Sequence, residues 1–324
     1  MVRAPIPLTF ACAPYDRMQS LFDGTVGIEG AALQPLPIAQ PMEIFSRMLA
    51  NDAFDVAEMS LTHAFTLTAN GSARFVTLPV FPSRMFRHGF IFVNRASGIT
   101  TPAGLAGKRI GVQGFQMTAA VWIRGLLRED YGVSFADVEW FEGGVNEVTI
   151  GTATTSMHPS GLRVREIPPD ATLGAMLAAG EIDALIGAII PDTLATSDRV
   201  ARLFSGVHDL ERDYFVRTSI FPIMHALVVR RELVREHPWL AAAIVRACEA
   251  AKAQALAGLR FSGALRYMLP WLRESLDEID AVFGGDAWPY GVEENREALT
   301  AFGRYLVDDG FLTAPLALDT LFPC

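Results

Sequence analysis

Short runs rich in β-branched and aromatic residues alternate with helix-period stretches over roughly the first two hundred residues, and no other feature constrains the fold as tightly. Pro7 to Cys12 reads as a strand, residues 41–51 as an amphipathic helix, and Phe54 to Ala57 as a strand followed by a helix that Ser60 would cap. Phe75 to Phe81 and Arg87 to Asn94 read as further strands. A second series then runs through strand Lys108–Val112, a helix from about Met117 to Tyr131, and strands Val138–Phe141 and Ile182–Ile186. FPIMHALVVRR, from Phe221, is one more strand, after which residues 238–260 and about 292–309 are helical. Strands separated by helices call for crossover connections and a largely parallel sheet. No solenoid-period repeat and no Pro/Gly/Ser linker divides the chain. Two βα series with no linker and a helical tail predict a two-lobed α/β protein with mixed sheets flanked by helices. Residues 1–92 with 220–324 form its first lobe and 93–219 its second, and the ligand cleft falls between the lobes.

Composition narrows the function. With 51% hydrophobic and 19% charged residues in 324, the chain has ample apolar surface for a core. Its net charge of −9 argues against nucleic acid, which needs a basic face. Mean hydropathy is high at +0.27, yet the best apolar stretches are interrupted: Leu177–Pro191 by Glu181 and Asp183, Pro238–Gly258 by Arg246, Glu249 and Lys252. No membrane span is expected. Met1 to Phe10 carries one basic residue and no long apolar run ahead of a cleavage site, which predicts a cytoplasmic protein without a secretory signal. Cys12, Cys248 and Cys324 are widely spaced and odd in number, so free thiols are expected.

Five stretches could carry chemistry. FPSRMFRHGF sets Arg84, Arg87 and His88 close together, and arginines bind planar carboxylates through paired N–H groups while histidine titrates near neutral pH. The same residues also suit a solvated strand edge. GVQGFQMTAAVWIRG places Gln116, Met117 and Thr118 at a strand-to-helix turn, where free N–H groups attract anions, with Arg124 further along; Thr118 could equally be no more than a cap. Tyr15, Asp16 and Arg17 follow the first strand, where ligands gather in open α/β sheets, although Asp16 and Arg17 could simply pair. Glu58 and Ser60 close another strand, where the apolar setting of Glu58 could raise its pKa, although a buried glutamate bonded to backbone fits the pattern nearly as well. His225 lies in the apolar run FPIMH, a common place for a core histidine. The six histidines form no HxH or HExxH pattern, so no metal site is expected, and there is no GxSxG elbow or phosphate loop. The stripe Met42, Phe45, Met48, Phe54 and Met59 reads as core.

YDRM, EIFSRML, FDVAEMS, VFPSRMFRH, GKRIGV, QMTAAVWIRG, GEIDALI, IFPIMH, HPW and WPYGVEENR occur in this order. With them the chain resembles the 4,5-dihydroxyphthalate decarboxylase family from about residue 8 to residue 322. The resemblance implies a fold similar to type II periplasmic binding proteins and a cofactor-free, non-oxidative loss of CO2 from a hydroxylated phthalate. It implies a small aromatic carboxylate as substrate; charge and hydropathy speak against nucleic acid and membrane as partners, and the apolar composition with the helices after residue 238 points to a homo-oligomer. Carried onto these motifs, Arg84, Arg87, Gln116 and Thr118 would anchor carboxylates, with Tyr15, Arg17, Ser60 and Arg124 beside the substrate. His88, foremost, or His225 would give the proton, and Asp16 or Glu58 would orient it. The chain departs from the family pattern at GAIIPDT (residues 187–193), at His63 and in the Ser/Thr-rich stretch Glu147–Gly161. Those departures leave room for a related aromatic acid as substrate, and the fold alone leaves room for a solute-binding protein without catalysis.

Overall fold

The computed structural model describes residues 4–148, 158–159 and 161–323. Among them eleven strands occur: β1 Ile6–Cys12, β2 Ala31–Pro37, β3 Val56–Ser60, β4 Phe75–Arg84, β5 Ile91–Asn94, β6 Arg109–Val112, β7 Glu139–Glu142, β8 Val164–Glu166, β9 Ala184–Ile186, β10 Val200–Arg202 and β11 Ile223–Arg230. The chain divides into two compact units. One comprises Met1–Arg84, Ile223–Leu299 and Leu316–Cys324, the other Met85–Pro222 and Thr300–Pro315.

The first unit holds a five-stranded sheet in the order β2-β1-β3-β11-β4. β1 runs parallel to β2 and β3, whereas β11 runs antiparallel to β3 and β4. β1, β3 and β4 therefore end on one side of the sheet, where β11 begins. β2 carries no clear strand signal, because Pro35 and Pro37 interrupt it; proline lacks the N–H a central strand must donate, and β2 lies at the sheet edge, where that donor is dispensable. The helix Pro41–Asn51 packs Ile44, Phe45 and Met48 against Phe54, Ala57 and Met59. The Met/Phe stripe is thus core except for Met42, which is exposed.

The second unit holds a six-stranded mixed sheet in the order β10-β5-β9-β6-β7-β8. Its two faces are covered separately: Ile110, Val112, Ile123, Leu127 and Trp140 lie in one apolar cluster, Phe92, Leu173, Leu177, Ile182 and Leu185 in the other. The helix Thr118–Tyr131 approaches Tyr305 so closely at Gly125 that an added Cβ would stand 2.0 Å from the ring, so only glycine fits there.

Three sequence expectations are corrected. Arg87 to Asn94 is not one strand, because His88–Phe90 forms a 3₁₀ turn and pairing starts only at Ile91. Ser60 ends β3 and occupies the N-cap position of the next helix, as expected, but makes no side-chain cap hydrogen bond, and Thr118 is the first residue of its helix rather than the cap, which is Met117. Helices Val207–Thr218 and Leu272–Phe283 have no counterpart in the sequence reading. The tail helices foreseen near 238–260 and 292–309 are present as Leu240–Arg260 and Arg296–Asp308. Most of the Glu147–Gly161 stretch, and Cys324, lie outside the described residues.

Candidate active site

In the first unit, side chains gather where β1, β3 and β4 end. Glu58, on the central strand β3, is fully buried. Its Oε1 accepts hydrogen bonds from the Tyr15 hydroxyl (2.8 Å) and from Nδ1 of His225 (2.5 Å). Its Oε2 accepts from the Ala13 amide (2.9 Å) and from Sγ of Cys12 (3.4 Å). The carboxylate is thus saturated by four donors.

Burial alone pushes a carboxyl group toward its neutral form, as the sequence reading supposed, but here it is outweighed. The facing His225 and the hydrogen bonds from His225, Ala13 and Tyr15 hold the Glu58 pKa below the ordinary glutamate value. The Tyr15 hydroxyl moves the other way, raised by burial and by the neighbouring Glu58 charge, and Cys12 is raised for the same two reasons. Both remain protonated donors at neutral pH. An ionised Glu58 fixes the proton of His225 on Nδ1 and leaves Nε2 for chemistry.

His225 is held by register. It lies opposite Ser60 on β3 and Ser83 on β4, with pairing irregularities to β4 on either side of it, and such irregularities re-aim side chains. Phe45 packs edge-on against the ring at 4.9 Å. The imidazole remains 18% exposed, so a ligand or water can reach it.

Arg17 stands beside this group. Its guanidinium carbon lies 4.3 Å from the centre of the Tyr15 ring and 4.2 Å from that of Trp288. Nε donates to the Pro82 carbonyl (2.6 Å) and Nη1 to Asp16 (3.0 Å), while Nη2 has no hydrogen-bond partner among the described residues. Asp16 is accordingly the partner of Arg17, on the exposed side. Arg84 is committed differently: its buried guanidinium donates to the Pro289 carbonyl (2.6 Å) and to Asn295, and burial lowers its pKa to about 9.

The remaining predicted residues lie in the second unit. His88 is 1% exposed and boxed by Tyr214 and Phe204; neither ring nitrogen has a hydrogen-bond partner among the described residues. Nδ1 lies 3.9 Å from Glu211, and burial lowers the His88 pKa to about 4. Arg87 is buried over the Phe90 ring, its pKa lowered by burial to about 10. Arg124, fully buried, donates from Nε (2.9 Å) and Nη2 (2.6 Å) to Asp309, which also accepts from Arg128. Nη1 of Arg124 is buried without a hydrogen-bond partner among the described residues, and removing one partner of such a buried pair costs about 3–5 kcal/mol. Gln116 and Thr118, both buried, flank Met117, the N-cap of the helix that follows β6, and a helix N-terminus favours an anion.

The sequence reading overlooked Cys12, Ser83 and Trp288. Ser83, which shares a hydrogen bond with the Tyr15 hydroxyl, carries no local signal, since its role comes from cross-strand register. Trp288, in the WPYG turn read as packing, had an aromatic signal without a partner to attach it to.

No protein-family model matches the chain. A 4,5-dihydroxyphthalate decarboxylase of Comamonas testosteroni is 38% identical over 299 residues, covering 92% of this chain and 90% of the relative. A protein of the same name from Pseudomonas putida is 40% identical over 197 residues, covering 59% and 76%. Among solved structures, the periplasmic aliphatic sulphonate binding protein of Escherichia coli aligns over 99% of this chain and all of its own, with a TM-score of 0.54 and 13% identity. That likeness fixes the fold as the one used by periplasmic binding proteins. Identity over nine-tenths of the first relative fixes more: the chain belongs to the 4,5-dihydroxyphthalate decarboxylase family.

Proposed function

We propose that the protein converts 4,5-dihydroxyphthalate to 3,4-dihydroxybenzoate and CO2, with the reaction centred on His225. The observation that carries this reading is the buried, ionised Glu58 bonded to an accessible histidine at the carboxyl ends of the strands, in a chain of this family. Loss of CO2 from an arene would leave an aryl carbanion unless the ring carbon is protonated first, so the reaction needs a placed general acid. The hydroxyl para to the departing carboxylate releases electron density to that carbon. Protonated His225 gives its Nε2 proton there, the carbon–carbon bond breaks, its electrons restore the aromatic ring and CO2 leaves. One proton is consumed per turnover, and the exposed edge of the imidazole lets solvent return it.

Glu58 stabilises the imidazolium before transfer and fixes the ring's orientation, as a carboxylate does behind a catalytic histidine. Arg17 binds the carboxylate that stays on the ring, through the donors left along its edge. Tyr15, held between Glu58 and Ser83, presents its hydroxyl beside the same ring. Relative to the sequence reading, the proposal moves the acid from His88 to His225, because His88 is enclosed and held neutral.

Self-association and a cytoplasmic location belong to the same proposal. Phe261, Leu265, Met268, Leu269 and Trp271 are exposed within one short segment, a surface that a second copy would cover. Cys12 and Cys248 are free and buried, as suits a reducing compartment. Among the described residues no helix is long and apolar enough to cross a membrane. The deciding experiment follows CO2 and 3,4-dihydroxybenzoate from purified protein and 4,5-dihydroxyphthalate, with and without chelator. Turnover that survives chelation is expected. Tight binding without turnover would replace the proposal with a solute receptor.

A further inference from the structure

We propose that Trp288 is a positioning residue that fixes the plane of Arg17 and so sets affinity for the substrate carboxylate that is not lost. The inference rests on the decarboxylase reading above and assigns a role to the WPYG turn, which that reading leaves unused. Arginine binds a carboxylate well only when its planar fork is presented edge-on and held still, because two parallel N–H···O bonds demand coplanarity. In Arg17 both of the contacts needed for this are built. Its guanidinium lies over the rings of Tyr15 and Trp288, at 4.3 and 4.2 Å, which fixes the plane. Nε on Pro82 and Nη1 on Asp16 fix rotation within that plane, and the Nη2 edge remains for a ligand.

Trp288 is itself anchored on three sides. Its indole N–H donates to the Phe81 carbonyl (3.0 Å) and its amide to Asp286 (2.7 Å). The buried ammonium of Lys252 donates to the Trp288 carbonyl (3.1 Å) and to Asp286 (2.9 Å). A lysine is seldom buried, and burying one is costly unless the geometry it enforces matters. Lys252 also pairs with Glu249 at 3.0 Å and lies over the Tyr290 ring at 4.5 Å, so one buried cation ties the Trp288 turn to its neighbours. Because Trp288 acts on binding through Arg17 and touches no reacting atom, its loss should appear in KM and leave kcat nearly intact.

Trp288→Phe and Trp288→Leu test this, read by KM and kcat for 4,5-dihydroxyphthalate and by calorimetric binding of phthalate, an unreactive dicarboxylate. Trp288→Leu is expected to raise KM and the phthalate dissociation constant about tenfold while kcat changes less than about threefold, and Trp288→Phe to recover most of the loss. In an Arg17→Lys background, which lacks the planar fork, Trp288→Leu should add less than about a twofold further change. Should Trp288→Leu not fold, a KM and dissociation constant raised about two- to fourfold by Trp288→Phe, with kcat kept, are read the same way. Unchanged phthalate binding in both variants, an equal fall in kcat, or the same penalty on top of Arg17→Lys would overturn the inference. So would a wild-type protein that turns over substrate without binding phthalate. A wild-type protein that binds phthalate, responds to the Trp288 variants as stated and turns over nothing would sink the decarboxylase reading and leave the Arg17–Trp288 assignment standing.

Discussion

Two of the histidine–glutamate pairs among the described residues behave in opposite ways. In the first unit His225 meets Glu58 at 2.5 Å, the carboxyl pKa is pulled down, and the ring edge stays accessible. In the second, His88 stands 3.9 Å from Glu211, the carboxyl pKa is pushed up by burial, and the imidazole pKa falls to about 4. The difference lies in the number of donors. Glu58 receives backbone, phenol, thiol and imidazole hydrogens, enough to offset the cost of burying a charge, whereas Glu211 has mainly the backbone of the His88–Gly89 turn. A histidine beside a carboxylate is a proton-transfer device only where the carboxylate is held ionised. Otherwise it is a neutral ring packed among aromatics.

The sharpest way to break this comparison is to exchange each histidine for glutamine. His225→Gln is expected to lower kcat by about 10²–10⁴, the usual worth of a general acid, and Glu58→Gln by a similar factor. His88→Gln should stay within about threefold of wild type. Rates for purified, folded variants under saturating 4,5-dihydroxyphthalate decide it. If His88→Gln carries the large loss instead, the roles of the two pairs are reversed.

Tyr15 sharpens the picture on the catalytic side. Its hydroxyl is one of four donors to Glu58 and is kept protonated by burial and the adjacent carboxylate. Tyr15→Phe removes that donor and leaves three. A loss of about 1–2 kcal/mol in transition-state stabilisation, about tenfold in kcat/KM, is expected from one hydrogen bond to a charged acceptor. An unchanged kcat/KM would show that the phenol serves neither Glu58 nor the substrate.

What the sequence made legible follows from how far each feature reaches along the chain. The βα alternation, the strand FPIMH and the long tail helices depend on local periodicity, and the family motifs depend on short words, so all were visible. The β2 strand was hidden by its prolines, which edge position makes harmless. Tyr15, Glu58 and His225 could each be singled out, yet their union depends on β3 lying between β1 and β11, a pairing of residues 43 to 167 positions apart. Adjacency in sequence misled in the other direction. Arg84 and His88, four positions apart, fall in different units, because the chain leaves the first sheet after Arg84. The choice between a raised pKa and a hydrogen-bonded carboxylate stayed open for the same reason: the sequence shows the apolar neighbours of Glu58 and conceals its four donors.

The smallest effect concerns stability, and its sign separates the two pairs again. A histidine titrates near 6.5 in the unfolded chain, whereas folded His88 does so at about 4. Between those values the unfolded state takes up a proton that the folded state refuses, so stability is complete above pH 6.5 and is lost as pH falls toward 4. His63, half-buried and lowered by desolvation to about 4, adds a contribution of the same sign. From pH 7 to pH 5 each histidine is expected to remove on the order of 2 kcal/mol. Glu58 also stabilises the fold only while ionised, but its loss begins lower, as pH drops through its depressed pKa. Urea unfolding at pH 7 and pH 5 should therefore show His88→Phe losing less stability between the two than wild type, by about that amount. An equal loss in variant and wild type would mean that His88 is protonated in the folded state. The enclosed pair would then be charged, and its contrast with Glu58 and His225 would disappear.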